Sequence, residues 1–79
     1  VNIRVTLDIS TYKKGIIDIE VNVDQIIDEC LRIVDENLNL NLKLKEINYC
    51  KSKRENRIIS NYGSFKENNI YTGDILEFI

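Results

Sequence analysis

The chain has 79 residues, enough for one hydrophobic core, because a chain this short buries only about 60–65% of the surface its unfolded form exposes. With 43% hydrophobic and 30% charged residues and a net charge of −2, it reads as a single globular domain over residues 1–79 whose charge selects no electrostatic partner. No apolar run approaches the roughly 18 residues that span a bilayer, and no signal-peptide pattern is present. Cys30 and Cys50 fit neither a disulfide framework nor a zinc pattern. The expectation is a cytoplasmic protein without direct membrane insertion, metal or cofactor; the opening Val1 leaves the native N-terminus open.

From Asn2 to Ile9 the residues alternate strictly, with Ile3, Val5, Leu7 and Ile9 on one side. That period of two predicts a half-buried strand. A polar link through Gly15 follows, and Ile17, Ile19 and Val21 resume the alternation, which makes a β-hairpin. At Asn22 the period changes. Asn22 and Gln25 form an N-x-x-Q variant of the capping box, and Val23, Ile27, Cys30, Val34 and Leu38, supported by Ile26, Leu31 and Ile33, make one apolar stripe on a helix of about three to four turns. Asp35 and Glu36 at its end oppose the helix dipole and predict fraying there.

Leu40, Leu42 and Leu44 lead to a third strand near Glu46 to Lys51. Ser52 to Asn56 reads as a turn, Ile58 and Ile59 as a short extended piece, and Asn61 to Ser64 as another turn. Phe65 to Asn69 is expected to form one 3₁₀ turn before Ile70 enters the core. Thr72-Gly73-Asp74 then opens a last strand, with Leu76 and Phe78 on one face. One sheet covered on one face by the helix buries every stripe, an α+β arrangement in ββαββ order. It requires Cys30, Val34, Ile70 and Leu76 to share one core.

The segment from Phe65 to Phe78 resembles the closing segment of ubiquitin-like domains, in which an apolar residue, a helical turn, an Asn-Ile pair, a turn and an alternating strand follow at this spacing. The likeness extends over the whole chain and is greatest to the YukD-like proteins of bacterial type VII secretion systems, through the G-D-x-L turn of Gly73, Asp74 and Leu76. The resemblance implies a ubiquitin-like β-grasp with the helix on a mixed sheet. It also implies a non-enzymatic accessory or regulatory role, in which the chain recognises protein components of the secretion machinery reversibly as a monomer or weak dimer. Ubiquitin and the sulfur carriers act through a tail ending in Gly-Gly beyond the last strand, whereas this sequence ends at Phe78-Ile79. If Ile79 is the native end, conjugation is excluded; a longer native end with Gly-Gly would restore the modifier or sulfur-carrier alternative.

The lack of His removes the commonest acid/base and metal ligand, so no catalytic, cofactor-binding or metal-binding residue is assigned. Cys30, on the apolar stripe, is read as core packing. Cys50 is read as a small strand residue on the sheet's open face, with a pKa depressed by lysine as the alternative. Asp24 and Asp28, spaced i, i+4, are read as a solvated helix face. Between Lys43 and Arg57 six cations face two acids, a local excess of +4 against −6 elsewhere. Within it, Lys51, Lys53, Arg54 and Arg57 could dock an acidic surface or keep an edge hairpin soluble. A small nucleic-acid-binding β-grasp domain is the other alternative; the acidic remainder argues for no nucleic acid. The resemblance places partner contacts on the exposed sheet face, which by register carries Asn48, Cys50, Ile75, Glu77 and Ile79 with Arg4 and Thr6. Ile75 and Ile79 are its expected apolar anchors.

Overall fold

The computed structural model describes residues 1–79. β1 (Asn2–Asp8) and β2 (Ile16–Asn22) pair antiparallel along their whole length, from Asn2 opposite Asn22 to Asp8 opposite Ile16. α1 (Ile27–Leu38) crosses to the far side, where β3 (Tyr49–Ser52) and β4 (Arg57–Ser60) form a second antiparallel hairpin. β5 (Ile75–Phe78) lies between the hairpins, parallel to β1 and antiparallel to β3, in a mixed sheet ordered β2-β1-β5-β3-β4. The extended piece at Ile58 and Ile59 is therefore a strand, and the chain order is ββαβββ.

Strand alternation and the helix stripe meet in one core of sixteen buried apolar residues, in which Ile27, Cys30, Leu31 and Val34 share the interior with Val5, Leu7, Leu76 and Phe78. Cys30, Val34, Ile70 and Leu76 are all buried, as the expected register requires. Each fully buried Leu, Ile or Phe contributes about 1.5–3 kcal/mol relative to exposure, against which chain entropy works. The stripe is wider than the core, since Ile33 and Leu38 remain exposed. No helix is long and apolar enough to cross a membrane.

The helix starts four residues later than a cap at Asn22 implies, with Ile26 in the cap position. Asn22 instead makes a local turn, its Oδ1 accepting from the Asp24 N–H at 2.9 Å and its carbonyl from the Gln25 N–H at 3.0 Å. No side chain caps Ile26. The free donors of the first turn go to a distant loop: Ile27 N–H to the Gly63 carbonyl at 3.0 Å and Asp28 N–H to the Asn61 carbonyl at 2.7 Å. Helix donors must be satisfied somewhere, and here a tertiary contact replaces the local cap.

A capping box does exist, at Ser64 and Glu67. The Glu67 N–H donates to Ser64 Oγ and the Ser64 N–H to Glu67 Oε1, each at 3.0 Å. The turn that follows closes by bonds from Ile70 N–H to the Phe65 carbonyl and Asn69 N–H to the Lys66 carbonyl, with Asn69 left-handed at φ 56°. This is the Schellman pattern, so residues 65–69 form a capped turn and not a 3₁₀ helix. The last turn of α1 is also closed. The Asn39 N–H, at φ 51°, donates to the Asp35 carbonyl, and Asp35 Oδ1 accepts from the Leu42 N–H at 2.9 Å. The expected fraying overlooked that an acidic side chain at a helix end is an acceptor for the loop beyond it.

Candidate partner-binding surface

The face of the sheet away from α1 has no covering layer. Strand pairing puts the residues of three rows side by side across it. The first row runs Ile16, Asp8, Glu77, Lys51, Ile58, spanning all five strands. In the second, Thr6 lies between Asp18 and Ile75. In the third, Tyr49 stands beside Ser60, and one step beyond the Cys50–Phe78 pair places Ile79 on its other side, where the Ile79 N–H meets the Tyr49 carbonyl at 3.4 Å. Tyr49 and Ile58 are diagonal neighbours, within reach of each other's side chains.

The centre of the face is charged. Lys53 Nζ lies 3.8 Å from an Asp8 oxygen and 3.9 Å from a Glu77 oxygen, and Lys51 sits opposite Glu77. Asp8 accepts from the Ser10 hydroxyl at 2.5 Å and the Ser10 N–H at 3.0 Å. These bonds, with the Lys53 charge as a lesser contribution, hold its carboxyl below the usual carboxylate range. At 3.8–3.9 Å, and with the Lys53 side chain 47% exposed, these pairs are loose and screened by solvent on the lysine side although Asp8 is buried.

One end of the face is apolar. Tyr49 is 53% exposed, Ile58 56% and Ile79 45%, and Tyr62, 60% exposed, donates its hydroxyl to Asn48 Oδ1 at 2.6 Å. Ile75, at 37%, is less open and lies in the row of Thr6. The predicted anchors Ile75 and Ile79 are thus on the open face, as are Arg4, Thr6, Lys51 and Lys53. Arg4 pairs loosely with Glu20 at 3.8 Å, and the Thr6 hydroxyl donates to Asp18 at 2.6 Å. Asn48 lies just before β3, half-buried.

Cys50 is on the opposite face. It is fully buried between Ile59 and Phe78 in the core layer, and Tyr49 takes the exposed position. The error is one of register: Ile47 is buried, but the chain turns between a 3₁₀ turn at Leu44–Glu46 and the strand, so the parity set by Ile47 does not carry into β3. Burial pushes the Cys50 thiol up to about 12, the nearby Asp74 charge adding to the effect, and burial alone pushes Cys30 to about 11. No lysine depresses Cys50.

The basic cluster is also divided. Lys51 and Lys53 face the open side. Arg57 stands opposite Ser52 on the helix side, bonded to Glu55 Oε1 at 2.7 Å and to the Asn68 carbonyl. Arg54 lies over the Tyr71 ring, 5.7 Å from its centroid, and donates to the Thr72 carbonyl at 3.2 Å. The structure therefore joins Lys51 and Lys53 to the candidate surface and removes Arg57, Cys50 and Arg54 from it. Sequence reasoning missed Tyr49 and Ile58. The signal available for Ile58 was its pairing with Ile59, since adjacent apolar residues on a strand must point to opposite faces.

The hairpin–helix–hairpin arrangement closed by a central β5 parallel to β1 defines a β-grasp. Comparison with solved structures places it in the ubiquitin-like form. A de novo designed protein based on ubiquitin superposes with a TM-score of 0.72 at 16% identity, over 99% of this chain and 87% of that one. The C-terminal ubiquitin-like domain of mouse tubulin-specific chaperone e superposes with a TM-score of 0.70 at 12% identity, over 98% and 84%. No family model and no curated protein sequence matches the chain. At these identities the likeness concerns the fold.

Proposed function

We propose that this chain is a non-enzymatic protein-binding module that docks through the apolar end of its open sheet face, with Tyr49, Ile58 and Ile79 as anchors and Lys51 and Lys53 at the margin. One observation carries the reading: β3 and β4 hold large apolar side chains out to solvent while the small Cys50 and Ser52 take the inward places of β3. Aromatic and aliphatic anchors beside a polar margin are the composition of a contact centre. The mechanism is reversible recognition without a covalent step. The setting we propose is that of an accessory component of a bacterial type VII secretion system in the cytoplasm, supported by the resemblance to the YukD-like proteins in the long first hairpin and the Gly73-Asp74-x-Leu76 turn.

The test is export of the small helical-hairpin substrates of that system in the native host, with the gene intact, deleted, and replaced by an Ile58→Asp/Tyr49→Ala form. Loss of export on deletion, restored by the natural gene but not by the folded double variant, is the expected result. Unchanged export from an active system removes the secretion setting. Full restoration by the double variant removes the surface.

A further inference from the structure

The two edges of the sheet are unequal. β4 is four residues long and carries Arg57 on its helix side; short length and an inward-pointing charge are common protections against strand pairing. β2 is seven residues long, with Ile17, Ile19 and Val21 inward, and has neither. Its ladder to β1 continues at both ends through Ile9 N–H to the Gly15 carbonyl and Val23 N–H to the Val1 carbonyl. That phase makes the odd-numbered residues of β2 the ones bonded to β1. The N–H and C=O groups of Asp18 and Glu20 consequently point outward from the edge, and no backbone bond outside the β1 ladder reaches residues 16–21.

Beside this edge, Ile19 and Val21 of β2 and Cys30, Ile33 and Val34 of α1 line a groove of about 210 Å³. Its surroundings are acidic. Asp18 and Glu20 stand on the open-face side of the edge; Glu29 and Glu36 flank Ile33 on the helix at i−4 and i+3. Asp18 meets only the Thr6 hydroxyl, and Glu20 only the Asn2 amide and the mostly exposed Arg4. Self-pairing of β2 is penalised in its central registers. Antiparallel pairing about Ile19 sets Asp18 against the other copy's Glu20, and pairing about Asp18 or Glu20 sets each acid against itself, which is destabilising.

We infer that the β2 edge and its groove accept an extended strand from a partner protein in which Lys or Arg alternates with β-branched residues. The cations lie opposite Asp18 and Glu20, whose outward backbone groups bond the incoming strand. The apolar residue between them lies opposite Ile19 and enters the groove beneath Ile33. This is strand addition with the chemistry set by the acids, on a surface separate from Tyr49, Ile58 and Ile79.

The test is titration of the isotopically labelled full chain with the blocked peptide Lys-Val-Lys-Ile-Lys-Val-Lys, followed by amide shifts and hydrogen exchange. Shifts and protection at Asp18, Glu20 and Ile33, weakening with salt, are expected. The same peptide with Glu for Lys, or with N-methylated backbone at the bonding positions, should not bind. Asp18→Lys/Glu20→Lys should lower affinity for the Lys peptide by about tenfold, two lost charge pairs of roughly 0.7 kcal/mol each. Ile33→Asp, at an exposed helix position, serves should that variant not fold. Binding by Tyr49→Ala must be unchanged, which separates this site from the open-face reading. No shift at millimolar peptide, equal binding of the Glu or N-methylated peptide, or shifts centred on Tyr49 and Ile58 would overturn the inference.

Discussion

In the β1–β2 hairpin the covered side is apolar, with Ile3, Val5, Leu7 and Val21 buried, and the open side carries Arg4, Thr6, Asp18 and Glu20. In the β3–β4 hairpin the covered side includes Cys50 and Ser52, and the open side carries Tyr49 and Ile58. The second hairpin mixes the two kinds of side chain: Ile59 is buried beside Cys50 and Ser52 on the covered side, and Lys51 and Ser60 stand with Tyr49 and Ile58 on the open one. Its inward polar group is held by a buried network. The Ser52 hydroxyl donates to Asp74 Oδ2 at 2.6 Å, while Asp74 Oδ1 accepts from the Ile75 N–H at 2.7 Å and the Arg54 N–H at 3.2 Å. Asp74 follows Gly73, whose φ of 91° favours glycine and whose N–H donates to the Arg4 carbonyl at 2.8 Å. The G-D-x-L turn thus bonds the second hairpin to β5 and to β1. The groups that hold the second hairpin in the fold and the side chains it leaves exposed thus lie on opposite sides of the same short strands.

The largest expected effect falls on the shared core. Phe78, fully buried at the centre of the sheet, should lose about 3–5 kcal/mol on Phe78→Ala, read as a lower urea midpoint with an unchanged slope. Second is the network. Asp74→Ala leaves the Ser52 hydroxyl and the Arg54 and Ile75 N–H groups without their acceptor, at about 1–3 kcal/mol for each group that water does not reach. Asp74→Asn, which keeps an acceptor, should recover part of this. A loss from Asp74→Ala no greater than that of an exposed residue would show that the inward polar network contributes nothing to the fold.

That contrast also explains what could be read from the sequence. β1 was legible because four apolar residues alternate without exception and the strand keeps one parity to its end. β3 was not, because Tyr-Cys-Lys-Ser places the larger apolar residue outward and the smaller inward, and hydrophobicity alone cannot tell them apart. The helix stripe was legible, but not its start, since the acceptors for Ile27 and Asp28 come from Gly63 and Asn61, more than thirty residues later. The Ser64-x-x-Glu67 box was present as a local pattern and passed over because no long apolar run follows it. The basic cluster was contiguous in sequence, yet β4 turns Arg57 to the opposite side from Lys51, as pairing with Ser52 demands.

The two buried thiols make stability depend on pH. Both folded pKa values, about 11 for Cys30 and about 12 for Cys50, lie above the ordinary value of about 8.5 that an unfolded thiol adopts. The protonated thiol is favoured in the fold, so this contribution is complete below about pH 8.5 and is lost as pH rises toward the folded values. Stability should decline across that window, and less steeply in Cys50→Ala once its own constant loss is subtracted. At pH 8 a thiol reagent should label the folded chain only at the rate of its opening, and denaturant should release both thiols together. Rapid labelling of Cys50 alone would mean that β3 presents the other parity.

The smallest expected effect is the most discriminating one. Ile58→Ser removes an apolar side chain that is more than half exposed and contacts no core layer, so the change in stability should stay within about 0.5 kcal/mol, and fewer exposed apolar atoms should not lower solubility. A core residue of the same type loses several times more on truncation. Ile58, Tyr49 and Ile79 are each about half exposed, and on the open-face reading proposed above they are the anchors. A partner that covers Tyr49, Ile58 and Ile79 should therefore bind Ile58→Ser more weakly by about tenfold, near the 1–2 kcal/mol of a buried anchor. A stability loss of core size would instead show that Ile58 is packed.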